Sequence, residues 1–404
     1  MNPWRALGRL PRELWILFIA TLVNRAGTMA LVFLTLYVTR SLGLTDSQAG
    51  LVFTVYGIGA IITAPLAGRL SDRAGPLRVM KLSLFFSGAI LFVLPFAQTF
   101  FTILVITFLW AVAGEALRPA SMAIISDVAT AEQRKPAFAL NRLAINLGMS
   151  VGPVVGGFLA EFSFKAIFFV DGATSIAAGL ILVAWRWRFV RADAADAPAI
   201  VDAVETPVKR LGVLRDRHFL YFLLALIPVE IVFFQSHAAM PLFLVRDLGL
   251  SPSVYGALFA VNTVIIVLLE VPLNSAMANW PHRPALALGS FLFGAGFGGL
   301  AFVTGFWSAA ATVVVWTFAE MILFPGSSAY VADLAPAKKR GEYMGLYTMG
   351  FSVAFAIGPG IGALVYDKFG GLTLWTASFV TGCISALMMA RLRSKPSATH
   401  QAQR

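Results

Sequence analysis

The chain has 404 residues, of which 58% are hydrophobic and 13% charged, and a mean hydropathy of +0.80. Soluble domains run at about 45–50% apolar and 25% charged residues, so these values exclude a water-soluble globule and indicate an integral membrane protein. The net charge of +11, a single Cys383 and four scattered histidines have to be explained within a bilayer, and they leave no disulfide and no ligand spacing for zinc or haem.

Apolar stretches of about 20 residues, the length that crosses a hydrocarbon core, occur at 14–38, 50–70, 79–97, 100–126, 136–160, 165–187, 219–245, 254–276, 284–304, 307–331, 341–365 and 371–391. They are α1 to α12 in chain order. The first is too long for a signal-peptide core and lacks a small-residue cleavage site, so it is expected to remain as a span. Before it, MNPWRALGRLPREL carries Trp4, Leu7, Leu10 and three arginines, the composition of a segment lying on the inner leaflet. Between α6 and α7, the stretch RADAADAPAIVDAVETPVKR has no apolar period. The expected organisation is a six-helix bundle at 1–187, a cytoplasmic linker at 188–217 and a second six-helix bundle at 218–404.

Lysine and arginine fix the orientation. With the N-terminus inside, 24 of the 31 basic residues fall on the cytoplasmic side and four outside, and Arg25, Arg118 and Arg142 lie within spans. The positive-inside rule therefore predicts that both termini are cytoplasmic, and it accounts for the net charge without nucleic acid.

The two halves resemble each other at an ungapped offset of 206 positions. Arg40, Gly43 and Gly50 fall on Arg246, Gly249 and Gly256; Pro119, Asp127 and Arg134 on Pro325, Asp333 and Arg340; and Gly152, Pro153 and Gly156 on Gly358, Pro359 and Gly362. A tandem duplication of this kind places a substrate site between the halves near the midplane.

Two local motifs stand out. The loop after α2 reads GRLSDRAGPLRVM, and α5 contains GMSVGPVVGG. Together with the twelve spans they resemble the major facilitator superfamily over essentially the whole chain, and in particular its 12-helix drug/proton antiporter group. Gly68, Leu70, Asp72, Arg73 and Gly75 match the family's loop, with Arg78 and Lys81 as its remaining basic residues and Pro76 and Leu77 where the family usually has Arg or Lys. Gly148, Gly152, Pro153, Gly156 and Gly157 match the helix 5 signature of proton-driven antiporters. Trp110 stands four residues before Gly114, where that group has an arginine. The resemblance implies the all-α fold of two pseudo-symmetric six-helix bundles. In the loop, Asp72 and Arg73 read either as a latch that holds helix ends, with Asp72 accepting from end amides, or as ordinary inside charges. In α5, small residues at i, i+4 and i+8 let another helix approach closely, for gating or for packing alone.

Charges at mid-membrane are costly and persist where they meet water, a partner or a ligand. Arg25 lies near the centre of α1, Glu115 and Arg118 of α4, Glu230 of α7 and Glu320 of α10. These are the four helices that, in the resembled fold, line the central cavity. Glu115 and Arg118 are spaced i, i+3 and read either as a mutual ion pair or as cavity groups. Glu230 and Glu320 have no basic partner within their spans, with only His237 on the same face as Glu230, and a buried carboxyl favours its protonated form. They are the leading proton carriers, with Glu115 next. Phe233, Phe234 and Trp316 offer flat apolar surface nearby. Glu270 and Asp171 are off-centre and are expected to pack or gate, and Arg142 to snorkel or to pair with Asp127.

The favoured reading is a proton-coupled antiporter that exports amphipathic small molecules by alternating access, resident in a bacterial inner membrane and active as a monomer. An importer or symporter of a small organic anion, clamped by Arg25 and Arg118, is the alternative, and a non-transporting sensor ranks third. The expected partners are a small-molecule substrate, protons and the lipid bilayer. No cofactor is implied, and no nucleophile with a base, phosphate loop or metal cluster marks an enzyme.

Overall fold

The computed structural model describes residues 10–130, 133–185, 187, 213, 215–277, 280–336 and 339–392, and the regular elements among them are helical. The expected linker at 188–217 and the N-terminal interfacial segment fall mostly outside the described residues.

Ten helices are long and apolar enough to cross a bilayer, or eleven with the bent pair Asp46–Thr63 and Pro65–Ala74. The last of them, Glu342–Ala390, has 49 residues, roughly 74 Å of helix at 1.5 Å per residue against a hydrocarbon core of about 30 Å. Gly370 within it has φ +80°, a conformation open to glycine, and the chain turns back there. The twelve expected crossings are thus found as α1 (Arg12–Ser41), α2 (Asp46–Ala74), α3 (Pro76–Phe96), α4 (Phe100–Val128), α5 (Arg134–Phe162), α6 (Phe164–Ala184), α7 (Arg217–Asp247), α8 (Pro252–Ala276), α9 (His282–Phe302), α10 (Phe306–Leu334), and α11 and α12 on either side of Gly370.

The duplication seen at offset 206 recurs in three dimensions. The ends of α1 and α7 each widen into a π-helical turn, Tyr37–Ser41 and Leu242–Asp247. Each is followed by a glycine at positive φ, Gly43 and Gly249. The next helix of each half is capped by a hydroxyl, with Thr45 accepting from the Gln48 amide and Ser251 from the Val254 amide. These caps satisfy orphan amides at the helix start.

Glycines set the helix spacing in both halves. A methyl group on Gly152 would stand 3.2 Å from the Arg25 carbonyl oxygen in α1, and one on its repeat mate Gly358 would stand 3.2 Å from the Ile231 carbonyl oxygen in α7. Across the halves, a methyl on Gly50 would lie 2.9 Å from Gly360 Cα, and one on Gly157 would lie 2.7 Å from Ser253 Cα. The α5 stripe therefore has two faces. Gly148 and Gly152 seat the α1 backbone and Gly156 the Met29 and Phe33 side chains within the N-terminal half, whereas Pro153 and Gly157 meet α8 of the other half.

Apart from an Arg142–Glu270 ion pair nearer the terminal end, polar links between the halves gather at the end of the bundle far from the termini. Arg246 reaches Asp46 at 2.6 and 2.8 Å, Arg40 donates to the Val245 carbonyl at 2.7 Å, and Ser47 donates to Asp367 at 2.6 Å. The Tyr255 hydroxyl donates to Ser236 O of its own half at 2.8 Å and stands 3.4 Å from Val32 O of the other half. At the end that carries the termini, methyl groups on Gly68 of α2 and Gly345 of α11 would meet nothing within 4 Å. The halves are closed at the far end.

Candidate functional site

Three of the four helices expected to line the cavity are discontinuous, and the charged residues sit at or beside the breaks. α1 stops at Ala26 and resumes at Ala30. Asp171 of α6, only 4% exposed, accepts from the Met29 and Ala30 amides at 3.1 and 2.9 Å, and so caps the second segment. Asn24 beside the break donates to Ser175 at 3.1 Å. Asp171 thus has the packing role expected of it. Arg25, in the last turn before the break, has a buried Nε without a hydrogen-bond partner.

α4 breaks at Glu115, between Phe100–Gly114 and Leu117–Val128. The reading of Glu115 and Arg118 as a mutual pair is corrected here: Glu115 Oε1 accepts from the Tyr56 hydroxyl of α2 at 2.8 Å, and Arg118 is exposed. The i, i+3 geometry presumes a continuous helix, and Glu115 lies where that continuity ends.

α7 changes to a tight turn at Phe234–Ser236 and restarts at Ala239. His237 sits in this gap. Its ring meets the Ser236 hydroxyl at 2.9 Å, and its carbonyl accepts from Thr35 of the other half at 2.9 Å. Glu230, one segment earlier, is fully buried at 0% exposure, and neither carboxyl oxygen has a hydrogen-bond partner.

A cavity of about 320 Å³ lies between α5, α8 and α10, at the junction of the two halves. Its polar lining is Arg142 and Asn146 from α5, Glu270 from α8, and Glu320 and Ser328 from α10. Ile266, Met321, Phe324 and Pro325 form its apolar walls. Glu320 Oε2 accepts from Asn262 Nδ2 at 3.0 Å, and the same amide reaches Thr317 at 3.0 Å. Arg142 and Glu270 form an ion pair that joins the halves, with side-chain exposures of 61% and 13%. The expectation that Arg142 snorkels or pairs with Asp127 is therefore corrected, and Glu270 gains an inter-half role.

Of the seven residues expected to share a substrate cavity, Glu320 lines this one. Arg25, Glu115, Arg118 and His237 lie at other points on the breaks of α1, α4 and α7. Trp316 is 3% exposed and packs inside the C-terminal half, its ring 5.7 Å from Phe297 and 6.2 Å from Phe233; it is a packing residue, not a cavity wall. Glu230 is not part of the lining; its helix meets it through Phe233, whose ring lies 5.3 Å from that of Phe324, a lining residue. Arg142, Glu270, Asn146 and Asn262 were missed as site residues. The sequence signal for Arg142 and Glu270 was their charge within a span, while Asn146 and Asn262 gave none beyond polarity.

The stretch expected as a gating loop is helical on both sides of a single joint: Asp72 and Arg73 lie in the last turn of α2 and Arg78 in the first of α3, all three exposed. The joint, Gly75, has φ +87°, which explains the glycine. Among the described residues no helix-end amide donates to Asp72.

Comparison with known proteins agrees with this architecture. The Major Facilitator Superfamily model matches residues 17–243 and 231–404. The chain is 25% identical over 390 residues to the uncharacterized MFS-type transporter YqjV of Bacillus subtilis (strain 168), covering 95% of this chain and 92% of that one. It is also 25% identical over 364 residues to a Na(+), Li(+), K(+)/H(+) antiporter of Planococcus maritimus, with 83% and 85% covered, and 25% identical over 332 residues to multidrug resistance protein 2 of B. subtilis (strain 168), with 80% and 81% covered. Among solved structures, a peptide transporter POT superposes with a TM-score of 0.76 at 17% identity, covering 98% of this chain and all of that one. A bacterial homolog of the human lysosomal transporter Spinster gives 0.73 at 16% identity, with 98% and 100% covered. The relatives are transporters and not enzymes, and this multi-pass membrane protein belongs to the major facilitator superfamily.

Proposed function

We propose that the protein is a proton-coupled secondary transporter that exports amphipathic small molecules by alternating access. Glu230 carries the proposal: it is a carboxyl at 0% exposure with both oxygens unpartnered. An ionised carboxylate in such surroundings lacks every compensating interaction, so a proton or a cation has to accompany it. Glu320, held by Asn262 beside the inter-half cavity, is the second carrier, and Glu115 the third. The names of relatives as multidrug resistance proteins and as a cation/H(+) antiporter support the reading. The Asp72–Arg73 loop serves as a latch that closes when the terminal end closes. We place the protein in a bacterial inner membrane as a functional monomer, both termini cytoplasmic, on the excess of inside arginine and lysine, with 1–187 and 218–404 as its two bundles.

The test is uptake into proteoliposomes under an imposed pH gradient, using Glu230→Gln and Glu320→Gln. Each is expected to lose gradient-driven accumulation and to retain exchange without a gradient, because the amide keeps the shape and cannot titrate. Gradient-driven transport preserved in both variants overturns the assignment.

A second reading rests on Arg25, whose buried Nε has no partner. With Arg118 exposed on α4, it suits an organic anion. Tight binding of benzoate, lost in both Arg25→Ala and Arg118→Ala, would favour this reading over export of amphipathic compounds.

A further inference from the structure

The inter-half cavity holds two carboxylates and one guanidinium. Glu270 and Glu320 both belong to the C-terminal half, and Arg142 comes from the N-terminal half. Arg142 is bonded to Glu270, and Glu320 lies within electrostatic reach of both. When Glu320 is ionised, one negative charge is left over beside the apolar walls. The burial of the pair is lopsided: Glu270 is 13% exposed, and the arginine that neutralises it is 61% exposed. A largely buried carboxylate is thus served by a largely exposed guanidinium, which has room to swing away while the carboxylate does not.

We propose that Glu270 and Glu320 form the seat for the cationic group of the transported compound, and that Arg142 occupies it as a tethered guanidinium until a diffusible amidine or amine displaces it. The inference deepens the export reading and rests on it for the identification of the ligand as cargo. The seat selects a monocation because a single charge is uncompensated. The small cavity, about 320 Å³, lies at the lower end of the range for ligand sites and suits one aromatic ring bearing a cationic head. Ile266, Met321, Phe324 and Pro325 supply the apolar contact that water-exposed Arg142 cannot exploit, so a ring-bearing cation has an advantage over the side chain it replaces. Displacement also cuts an ion pair between the halves, which links occupancy of the seat to freedom of the halves to move.

Benzamidine is the probe, with neutral benzamide of the same shape as control. Binding to the purified full-length protein is measured by calorimetry in detergent at constant pH. With no gradient present, failure of proton coupling leaves this result untouched, and failure of this result leaves proton coupling untouched. Arg142→Ala removes the internal competitor and is expected to bind benzamidine about tenfold more tightly, the factor by which a ninety per cent occupied seat suppresses affinity. Glu270→Gln is expected to weaken binding by about the same factor, and the double variant to bind like Glu270→Gln. Should Arg142→Ala be too unstable to purify, Arg142→Gln gives the same comparison with a hydrogen-bonding neutral group. The proposal is overturned if neither arginine variant binds more tightly than the parent, if the double variant binds as tightly as Arg142→Ala, or if benzamide binds as well as benzamidine.

Discussion

The Tyr56 hydroxyl of α2 donates to Glu115 at 2.8 Å, at the point where α4 breaks, and so ties two helices of the N-terminal half together. A hydrogen bond to a charged group contributes about 1.5–3 kcal/mol. Tyr56→Phe is expected to lower thermal stability in detergent by an amount within or below that range. A double-mutant cycle between Tyr56 and Glu115 is expected to show coupling, and one between Glu115 and Arg118 to show almost none. Coupling of the second pair as strong as that of the first would restore the mutual ion pair.

Asp171 satisfies two amides at the start of the second α1 segment. Each buried amide left without an acceptor costs about 1–3 kcal/mol. Asp171→Ala is expected to be strongly destabilising and Asp171→Asn much milder, since the asparagine oxygen can still accept. Melting curves of the two variants, side by side, decide the matter: equal losses would mean that space filling and not capping sets the role of Asp171.

At the far end, Arg246 binds Asp46 across the halves and also contacts Asp247 at 2.9 Å, with its guanidinium 5.4 Å from the centre of the Tyr366 ring. Arg246 is 44% exposed, so solvent screening limits the pair to about 1 kcal/mol, roughly a fivefold change in population. Arg246→Ala is expected to raise the reactivity of a cysteine placed at Ser47 toward an aqueous thiol reagent by about that factor. A reversed pair, Asp46→Arg with Arg246→Asp, is expected to bring it back down. Reactivity unchanged by Arg246→Ala would show that glycine packing alone keeps this end shut.

Asp216 caps α7 from outside the span. Burial pushes its carboxyl up, but the Tyr343 hydroxyl at 2.7 Å and the Phe219 and His218 amides outweigh this and hold it below the usual carboxylate range. A carboxyl depressed on folding contributes stability above its unfolded value, near pH 4, and the contribution disappears as pH falls through its folded value. Asp216→Ala is expected to cost about 0.5–2 kcal/mol at neutral pH and to lie progressively closer to the parent below pH 4. Urea midpoints at pH 7 and pH 3 would measure the gap, and a gap that stays constant would mean that the cap does not act through charge.

The features of this molecule that could be read from residues are those governed by local pattern. Span length, the offset of 206 positions and the small residues of α5 are properties of neighbours in sequence, and each reappears in the structure with a backbone contact attached, as Gly152 against Arg25 and Gly358 against Ile231 show. The cavity was harder to read because its chemistry is shared between distant segments. Arg142 and Glu270 are 128 residues apart and in different halves, and no periodicity connects them. Glu115 and Arg118 misled for the opposite reason. Their spacing was informative only on an unbroken helix, and nothing in the stretch GEALRP marks the break as surely as a second glycine would. Trp316 shows a third limit: an aromatic residue one turn from a carboxylate can face the other way, and helical phase alone did not separate the face toward Phe297 from the face toward the cavity.

The glycine contacts between the halves are reciprocal. Gly50 of the first half lies against Ala363 of the second, and Gly256, the repeat mate of Gly50, lies near Gly157, the repeat mate of Ala363. Such an exchange is what a two-fold axis imposes on identical subunits, where position i of one copy meets position j of the other and the reverse also holds. At these small residues each half presents a face complementary to a copy of itself. A single six-helix unit carrying glycine at 50 and a small residue at 157 would have the means to pair with a copy of itself. In one chain the charged positions need not serve in both copies at once, and Glu230 and Glu320 stand on one side only: positions 24 and 114, their mates, are Asn24 and Gly114.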